Sequence, residues 1–225
     1  MYRTYILCLS LLLVTVTGNA QLFSSKTWVG DTGKINLRLN VLGLMDVLDG
    51  NGSVGGEMRF NKTWAVIMDA GYIFYSTYLR YVERTNGIIL RPGVRLYAGK
   101  YRNVFLDLQF HYKGVRYYVN DWLNKEVVNN VATYQERKMF QDRKRVYGGQ
   151  FIVGGKEFLS TNYRLFLEFY IGVGLHYKEE GLHGEPDSQY NQGFGVFSSG
   201  TITQHKSTMV TPAFPAGIRL VYTLR

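Results

Sequence analysis

The stretch from Tyr163 to Tyr177 has an apolar residue at every second position. Successive side chains of a β-strand point to opposite faces, so this pattern predicts a strand with one continuous apolar face. Fifteen residues make a long strand for a soluble domain, and no charge interrupts the apolar face. We therefore interpret the stretch as a strand that contacts hydrocarbon along its whole length, and lipid is the simplest source of hydrocarbon.

Seven further segments show the same alternation. They lie at about 33–41, 53–60, 64–72, 87–97, 104–113, 145–153 and 213–224. Together the segments predict an all-β fold, a transmembrane antiparallel up-and-down β-barrel of eight strands, with ten strands as the alternative if 21–32 or 120–134 also pair. Pro92 falls within the fourth segment, where we expect a bulge or an unpaired position because proline has no N–H to donate.

The connections between these segments alternate in length. Short links at about 61–62, 98–103 and 155–162 alternate with long ones at about 42–52, 76–86, 120–133 and 179–206. Outer-membrane barrels have short periplasmic turns and long outer loops, so the alternation favours that class. An even number of strands also predicts that both termini are periplasmic.

The first twenty residues are typical of a secretory signal peptide. Arg3 precedes an apolar run from Tyr5 to Val16, and small residues at Gly18 and Ala20 suit cleavage after Ala20. We expect a signal peptide at 1–20 and one domain, the outer-membrane β-barrel, at 21–225. The single cysteine, Cys8, lies within the apolar run, so the mature chain would have no thiol.

Charge and aromatic content agree with a membrane surface. The chain has a net charge of +9 and contains 18 tyrosines. Nucleic acid is a common partner of basic proteins, but an exported chain rarely meets any. We expect phosphorylated outer-membrane lipids, including lipopolysaccharide, as partners, and tyrosines in two belts at the membrane interfaces.

The strand faces opposite the apolar ones carry charges that would share the inside of the barrel. The predicted interior charge network consists of Arg38, Glu57, Arg59, Asp69, Arg91, Arg95, Asp107, Glu168 and Arg219. Buried charges must pair, and an eight-stranded barrel has room inside only for side chains. We therefore expect a plugged interior, with a narrow channel as the alternative.

Few groupings resemble a catalytic or metal site. His205 and Ser207 have the spacing found in outer-membrane lipid A deacylases, but no Asp or Glu follows His205 to orient it. His176 and His183, with a nearby glutamate, would be the alternative metal ligands. We predict no catalytic, cofactor-binding or metal-binding residues and no cofactor. A lipid A modifying enzyme is the lesser alternative to a non-enzymatic role.

Two long outer loops carry the remaining candidates. The loop at 179–206 is rich in Gly, Ser and Gln, which suits contact with a surface protein or a glycan. Cations interleaved with aromatic residues near 113–145 suit lipopolysaccharide phosphates or another partner. These candidate contacts are Arg116, Lys125, Arg137, Lys138, Arg143, Lys144 and Arg145. The competing interpretation is that they are ordinary headgroup anchors.

Three stretches carry a resemblance to a known group of proteins. They are Leu90–Tyr97 (LRPGVRLY), Leu106–Lys113 (LDLQFHYK) and Glu168–Lys178 (EFYIGVGLHYK). In these the chain resembles the small outer-membrane β-barrel proteins common in Bacteroidota, a family described as a domain of unknown function with OmpA- and OmpX-like eight-stranded architecture. The resemblance implies an outer-membrane location and supplies no catalytic residues. A soluble ligand-binding barrel is the structural rival, although such barrels keep apolar residues inside.

Overall fold

The computed structural model describes residues 35–41, 49–99, 102–129, 131–185, 187–195, 198–203 and 207–224. The signal peptide expected at 1–20 lies outside the described residues. The described residues form eleven strand segments: β1 (Ile35–Asn40), β2 (Asp49–Arg59), β3 (Trp64–Ser76), β4 (Val82–Ala98), β5 (Val104–Lys125), β6 (Tyr134–Phe158), β7 (Leu165–His183), β8 (Gln189–Gly195), β9 (Ser198–Thr203), β10 (Ser207–Ala213) and β11 (Ala216–Leu224). No helix able to span a bilayer occurs in the described part of the chain.

The strands form a closed antiparallel ring. Hydrogen-bonded pairing runs in order from β1 through β7, then to β11, and β11 pairs back with β1. Both β10 and β11 pair with β7, so they form one strand interrupted at Phe214 and Pro215. The ring therefore contains eight strands, which correspond to the eight predicted segments.

The β8–β9 hairpin brings the number of strands in the described residues to ten. The expectation of eight strands missed it because residues 179–206 contain no long alternation and were predicted as a loop. Ten is the number that the alternative gave, although the two additional strands are not formed by 120–134. Residues 21–32 lie outside the described part, and 120–134 lengthens existing strands: β5 continues to Lys125 and β6 begins at Tyr134.

The two ends of the ring differ. The connections at 60–63, 99–103 and 159–164 are short and lie at one end, which we name the turn end. At the other end, the hairpin end, the β5–β6 ladder continues to the pair Lys125–Tyr134, beyond the last β4–β5 pair at Val82–Val119. The strand predicted to begin at Tyr163 begins at Leu165 instead, since Tyr163 is in the turn with a φ of 57°.

Pro92 interrupts one side of its strand, as expected. β4 pairs with β3 through Pro92, opposite Met68. On the other side, pairing with β5 stops after Leu90 and resumes at Gly93 in the same register. Proline has no N–H to donate toward β5, so two positions of the β4–β5 ladder are unpaired while the register stays the same.

The two faces of the ring reverse the usual arrangement of a water-soluble domain. Large apolar side chains of the turn-end half point outward, and Ile171, Val173 and Leu175 are 67%, 57% and 65% exposed. Charged side chains point inward, where Arg95, Asp107 and Glu168 are fully buried. A soluble monomer rarely exposes a continuous apolar surface of this extent.

Strand β5 shows where this arrangement ends. Its outward residues are apolar or aromatic from Val104 to Tyr112, and then Gly114 and Arg116 follow. Its inward residues change in the opposite sense, from Asp107, Gln109, His111 and Lys113 to Val115, Tyr117, Val119 and Leu123. The last four belong to an apolar core at the hairpin end, together with Ile73, Ile89 and Phe140. The outward face of β5 therefore changes from apolar to mixed polar near Gly114.

Gly154 of β6 provides the space for the buried ring of Phe105. A Cβ atom at Gly154 would lie 2.2 Å from the Phe105 ring and 2.6 Å from the Phe169 carbonyl oxygen. We expect Gly154→Val to lower the free energy of unfolding by about 1–3 kcal/mol, since the ring and the backbone cannot both move away. Equilibrium urea unfolding followed by tryptophan fluorescence measures the loss.

Gly149 of the same strand is the matched control. It points outward, and a Cβ atom there would contact nothing within 4 Å. Gly149→Val is expected to change the free energy of unfolding by less than about 0.5 kcal/mol. Equal losses for the two variants would contradict the close packing of Phe105 against Gly154.

Candidate functional site

Arg95 is the centre of a buried charge cluster near the turn end. Its guanidinium contacts Asp107 through two parallel hydrogen bonds, with Nε 2.6 Å from Oδ1 and Nη2 2.9 Å from Oδ2. It also donates to Glu168 Oε2 at 3.0 Å and to Glu57 Oε2 at 2.9 Å. The Phe105 ring lies against the guanidinium, 3.7 Å from its carbon to the ring centroid. Three carboxylates from β2, β5 and β7 thus share one cation from β4.

Four further cations surround these carboxylates. Arg59 donates to Glu57 at 3.0 Å, and Lys156 donates to the Tyr97 hydroxyl at 2.7 Å, which in turn donates to Glu57. Arg38 and Arg219 lie farther away, 3.5 and 3.8 Å from Asp69. We name this set the turn-end cluster: Arg38, Glu57, Arg59, Asp69, Arg95, Tyr97, Asp107, Lys156, Glu168 and Arg219. Five cations and four anions leave it close to neutral.

The structure brings eight of the nine predicted interior charges into this cluster. The exception is Arg91, which has no ion pair among the described residues and donates to His111 Nδ1 at 3.4 Å. Arg91 and His111 line a cavity of about 270 Å³ in the middle of the ring. The predicted interior charge network named neither Lys156 nor Tyr97. The sixth segment was expected to end near 153, but β6 runs on to Phe158, and Lys156 lies on its inward face.

A second charge cluster lies between this cavity and the hairpin end. Asp49 pairs with Lys113 and with Lys144, whose Nζ is 3.2 Å from Oδ2. Ser76 and Tyr117 donate to the same carboxylate at 2.8 and 2.9 Å. We name these five residues the hairpin-end cluster. Sequence reasoning did not find Asp49 because it falls in a stretch, 42–52, that was predicted as a loop.

The histidines do not assemble a site of known chemistry. His111 and His176 stack inside the ring with centroids 4.6 Å apart, and Gln150 Nε2 lies 2.8 Å from His176 Nε2. His176 therefore lies inside the ring, whereas His183 is exposed, so these two histidines do not share one site. No group of three His, Cys, Asp or Glu side chains in the described residues could hold a metal ion. His205, which was considered together with Ser207 as a deacylase-like pair, lies outside the described residues.

The seven cations predicted to contact lipid or a partner lie in different surroundings. Lys144 was placed on the outer surface, which is wrong: β6 continues past Arg145, so Lys144 takes the inward face and is 7% exposed. Lys125 and Lys138 bind Glu185 at 2.7 and 2.8 Å. Arg137 is exposed on the upper part of the β5–β6 hairpin.

The other three cations, Arg116, Arg143 and Arg145, share an outward cleft. The cleft has a volume of about 280 Å³ and lies where the apolar surface ends. Arg116 and Arg143 are register partners on β5 and β6, and Arg145 is opposite Gly114. Tyr72, Asn86, Ile88 and Tyr112 are among the other residues that line it. We name this feature the arginine cleft.

A comparison of the chain with protein-family models and with curated proteins found no match.

The contacts of Arg95 lead to a first prediction for the site, which concerns the free energy of unfolding. Arg95→Met leaves Asp107, Glu168 and Glu57 buried with much less compensation, so the free energy of unfolding should fall by about 3–5 kcal/mol. Adding Glu168→Gln removes one of the uncompensated charges. The double variant should therefore lose less than the sum of the two single losses in urea unfolding.

Arg137→Met is the control, because Arg137 is exposed and has no ion pair in the described part of the chain. We expect its loss to stay below about 0.5 kcal/mol. Additive single losses for Arg95→Met and Glu168→Gln would contradict a direct coupling between the two side chains.

The contacts of Glu185 lead to a second prediction for the site, which concerns the pH dependence of local stability. Partial burial raises the pKa of this carboxyl group, but hydrogen bonds from Lys125 and Lys138 outweigh it and hold the pKa below its ordinary value. The contacts are therefore complete above the ordinary pKa of a glutamate and are lost as the pH falls through the lowered value. The Val127 N–H donates to the Asp187 carbonyl at 2.9 Å beside this contact. Its protection from hydrogen exchange, corrected for intrinsic rates, should fall over that range.

Glu185→Gln should lower this protection at neutral pH and remove its pH dependence. Glu126→Gln, at an exposed neighbouring position, should leave both unchanged. An unaltered pH profile in Glu185→Gln would show that another group controls the segment.

Proposed function

We propose that this chain is an integral outer-membrane β-barrel with a plugged interior and a non-enzymatic role in binding at the cell surface. The observation that carries the proposal is the reversed polarity of the ring, apolar outside and charged inside. We extend the proposal to the signal peptide at 1–20, to periplasmic termini and to the small outer-membrane barrel family suggested by the three sequence stretches.

The height of the apolar surface supports a bilayer. On β5 the outward apolar and aromatic residues run from Val104 to Tyr112, nine positions. A transmembrane strand needs about 9–11 residues when it is tilted. Outward residues at the same level on other strands are also exposed and apolar: Leu37, Val54, Met68, Val94, Phe151, Ile171 and Val173. A water-soluble ligand-binding barrel would require the opposite distribution, with the charges of the turn-end cluster outside.

The interior charges support a plug rather than a channel. The turn-end cluster joins side chains from β1, β2, β3, β4, β5, β6, β7 and β11, so it reaches every strand of the ring. The Asp49–Lys144 pair adds a second contact across the interior. An ion would have to separate several buried pairs in order to pass, and each separation costs several kcal/mol.

The hairpin end supports a role in surface binding. The β5–β6 hairpin extends beyond the rest of the ring and exposes Trp122, Met139 and Arg137. Lys125 and Lys138 fix the segment after β7 to this hairpin through Glu185. Rigid extensions that present aromatic and cationic side chains are suited to recognition of a protein or a glycan.

The membrane proposal predicts that two equally exposed positions on β5 respond differently to arginine. Leu108, 61% exposed, lies in the middle of the apolar surface, and Trp122, 56% exposed, lies beyond it. Leu108→Arg should destabilise the protein in lipid vesicles by about 2–4 kcal/mol, because the charge would lie near the bilayer midplane. Trp122→Arg should lower the stability in vesicles only slightly, because this position lies beyond the apolar surface.

Urea unfolding in vesicles and the fraction of heat-modifiable folded protein on unheated detergent gels measure this difference. In a water-soluble protein both substitutions would be tolerated, since each replaces an exposed side chain. Equal tolerance, together with recovery of the protein in the soluble periplasmic fraction, would disprove the proposal.

A further inference from the structure

The arginine cleft concentrates like charge on one outward face. Glu179 of β7 is the register partner of Arg145 on its other side. Arg116 and Arg143 are directly opposite each other, and Arg145 follows on the same face of β6. No carboxylate in the described residues lies within salt-bridge distance of any of the three. Like charges on opposed strand positions destabilise a sheet, so this arrangement has a cost that folding alone does not explain.

Arg143 shows most clearly that the neighbouring positive charges are unfavourable. Partial burial and the charges of Arg116 and Arg145 hold the pKa of Arg143 below its ordinary value. Its Nε is buried and has no hydrogen-bond acceptor among the described atoms. A guanidinium can donate several hydrogen bonds in one plane, which suits the oxygens of a phosphate group.

The shape of the cleft leaves room for such a group. Gly114, opposite Arg145, has no side chain, and a Cβ atom at this position would lie 2.9 Å from the Tyr112 hydroxyl. The hydroxyl groups of Tyr112 and Tyr72 and the amide of Asn86 surround the same space, and the Tyr72 hydroxyl and the Asn86 side chain are 2.7 Å apart. Neutral donors therefore flank the three cations.

The position of the cleft identifies the kind of anion. It lies at the upper limit of the outward apolar surface, where Ile88 on β4 and Tyr112 on β5 line it and Phe110 on β5 lies below it. Tyr112 and Tyr147 form a ring pair there, with centroids 5.4 Å apart. A ligand with a phosphate group in the cleft and acyl chains against this apolar surface would satisfy both regions at once.

We propose that the arginine cleft is a binding site for the phosphate headgroup of an anionic lipid, held by Arg116, Arg143 and Arg145. This rests on the proposed function, because the acyl chains require that the apolar surface be in a bilayer. Of the seven surface cations, only these three take part. Free phosphate would have the same headgroup chemistry but could not contact the apolar surface.

Native mass spectrometry of the folded full-length protein in detergent tests the proposal, with phosphatidylglycerol and phosphatidylcholine as probes. We expect at least a tenfold preference for phosphatidylglycerol in the wild-type protein. R116Q/R143Q/R145Q should remove the preference. The control K62Q/R137Q/R164Q loses the same net charge elsewhere and should retain it. Inorganic phosphate at equal concentration should not displace the lipid.

The outcomes separate the two proposals. Equal binding of the two lipids to folded, heat-modifiable wild-type protein would overturn the lipid site and leave the membrane proposal intact. Equal loss in the triple variant and in its control would also overturn it, because net charge alone would then explain binding. Complete displacement by inorganic phosphate would reassign the cleft to a free anion. Failure of Leu108→Arg to destabilise the protein in vesicles would instead overturn the proposed function.

Discussion

The pairing of Arg95 with Asp107, Glu168 and Glu57 is the interaction on which the interior of the ring depends. These side chains come from β4, β5, β7 and β2, and all four are almost completely buried. Removing any one of them would leave an excess of charge where water has little access. The cluster therefore joins strands that have no ladder between them, and it fills the ring near its turn end beside a small group of buried apolar side chains, Ala65, Phe105 and Ile152.

The change in polarity along β5 connects this interior to the proposed location. Below Gly114 the inward residues other than Phe105 are charged or polar, and above it most of them belong to an apolar core; the outward residues change in the opposite sense. The proposed bilayer would account for both patterns, because the surroundings of the strand would change from hydrocarbon to water along its length. The arginine cleft lies at this boundary, where the proposed membrane would bring its phosphate layer to cations and tyrosines.

Strand faces were predictable from sequence because they depend on a period of two residues, which is local. The prediction for Arg95, Asp107 and Glu168 as inward residues needed only this alternation. Strand ends were less predictable. β6 continues on both sides of the predicted 145–153, so Lys144 lies inside the ring and Lys156 joins the turn-end cluster. The β8–β9 hairpin was missed because residues 189–203 are rich in Gly, Ser and Gln and show no sustained apolar alternation.

The sequence by itself determined the all-β class, the direction of most side chains and the charge that the interior had to accommodate. Only the tertiary structure decided which charges meet, since contact across the ring depends on the registers of all its strands and on its closure between β1 and β11. Register placed Arg91 beside His111 instead of with Arg95. It also brought Arg116, Arg143 and Arg145 to one cleft, because strand pairing joins residues that are far apart in the chain.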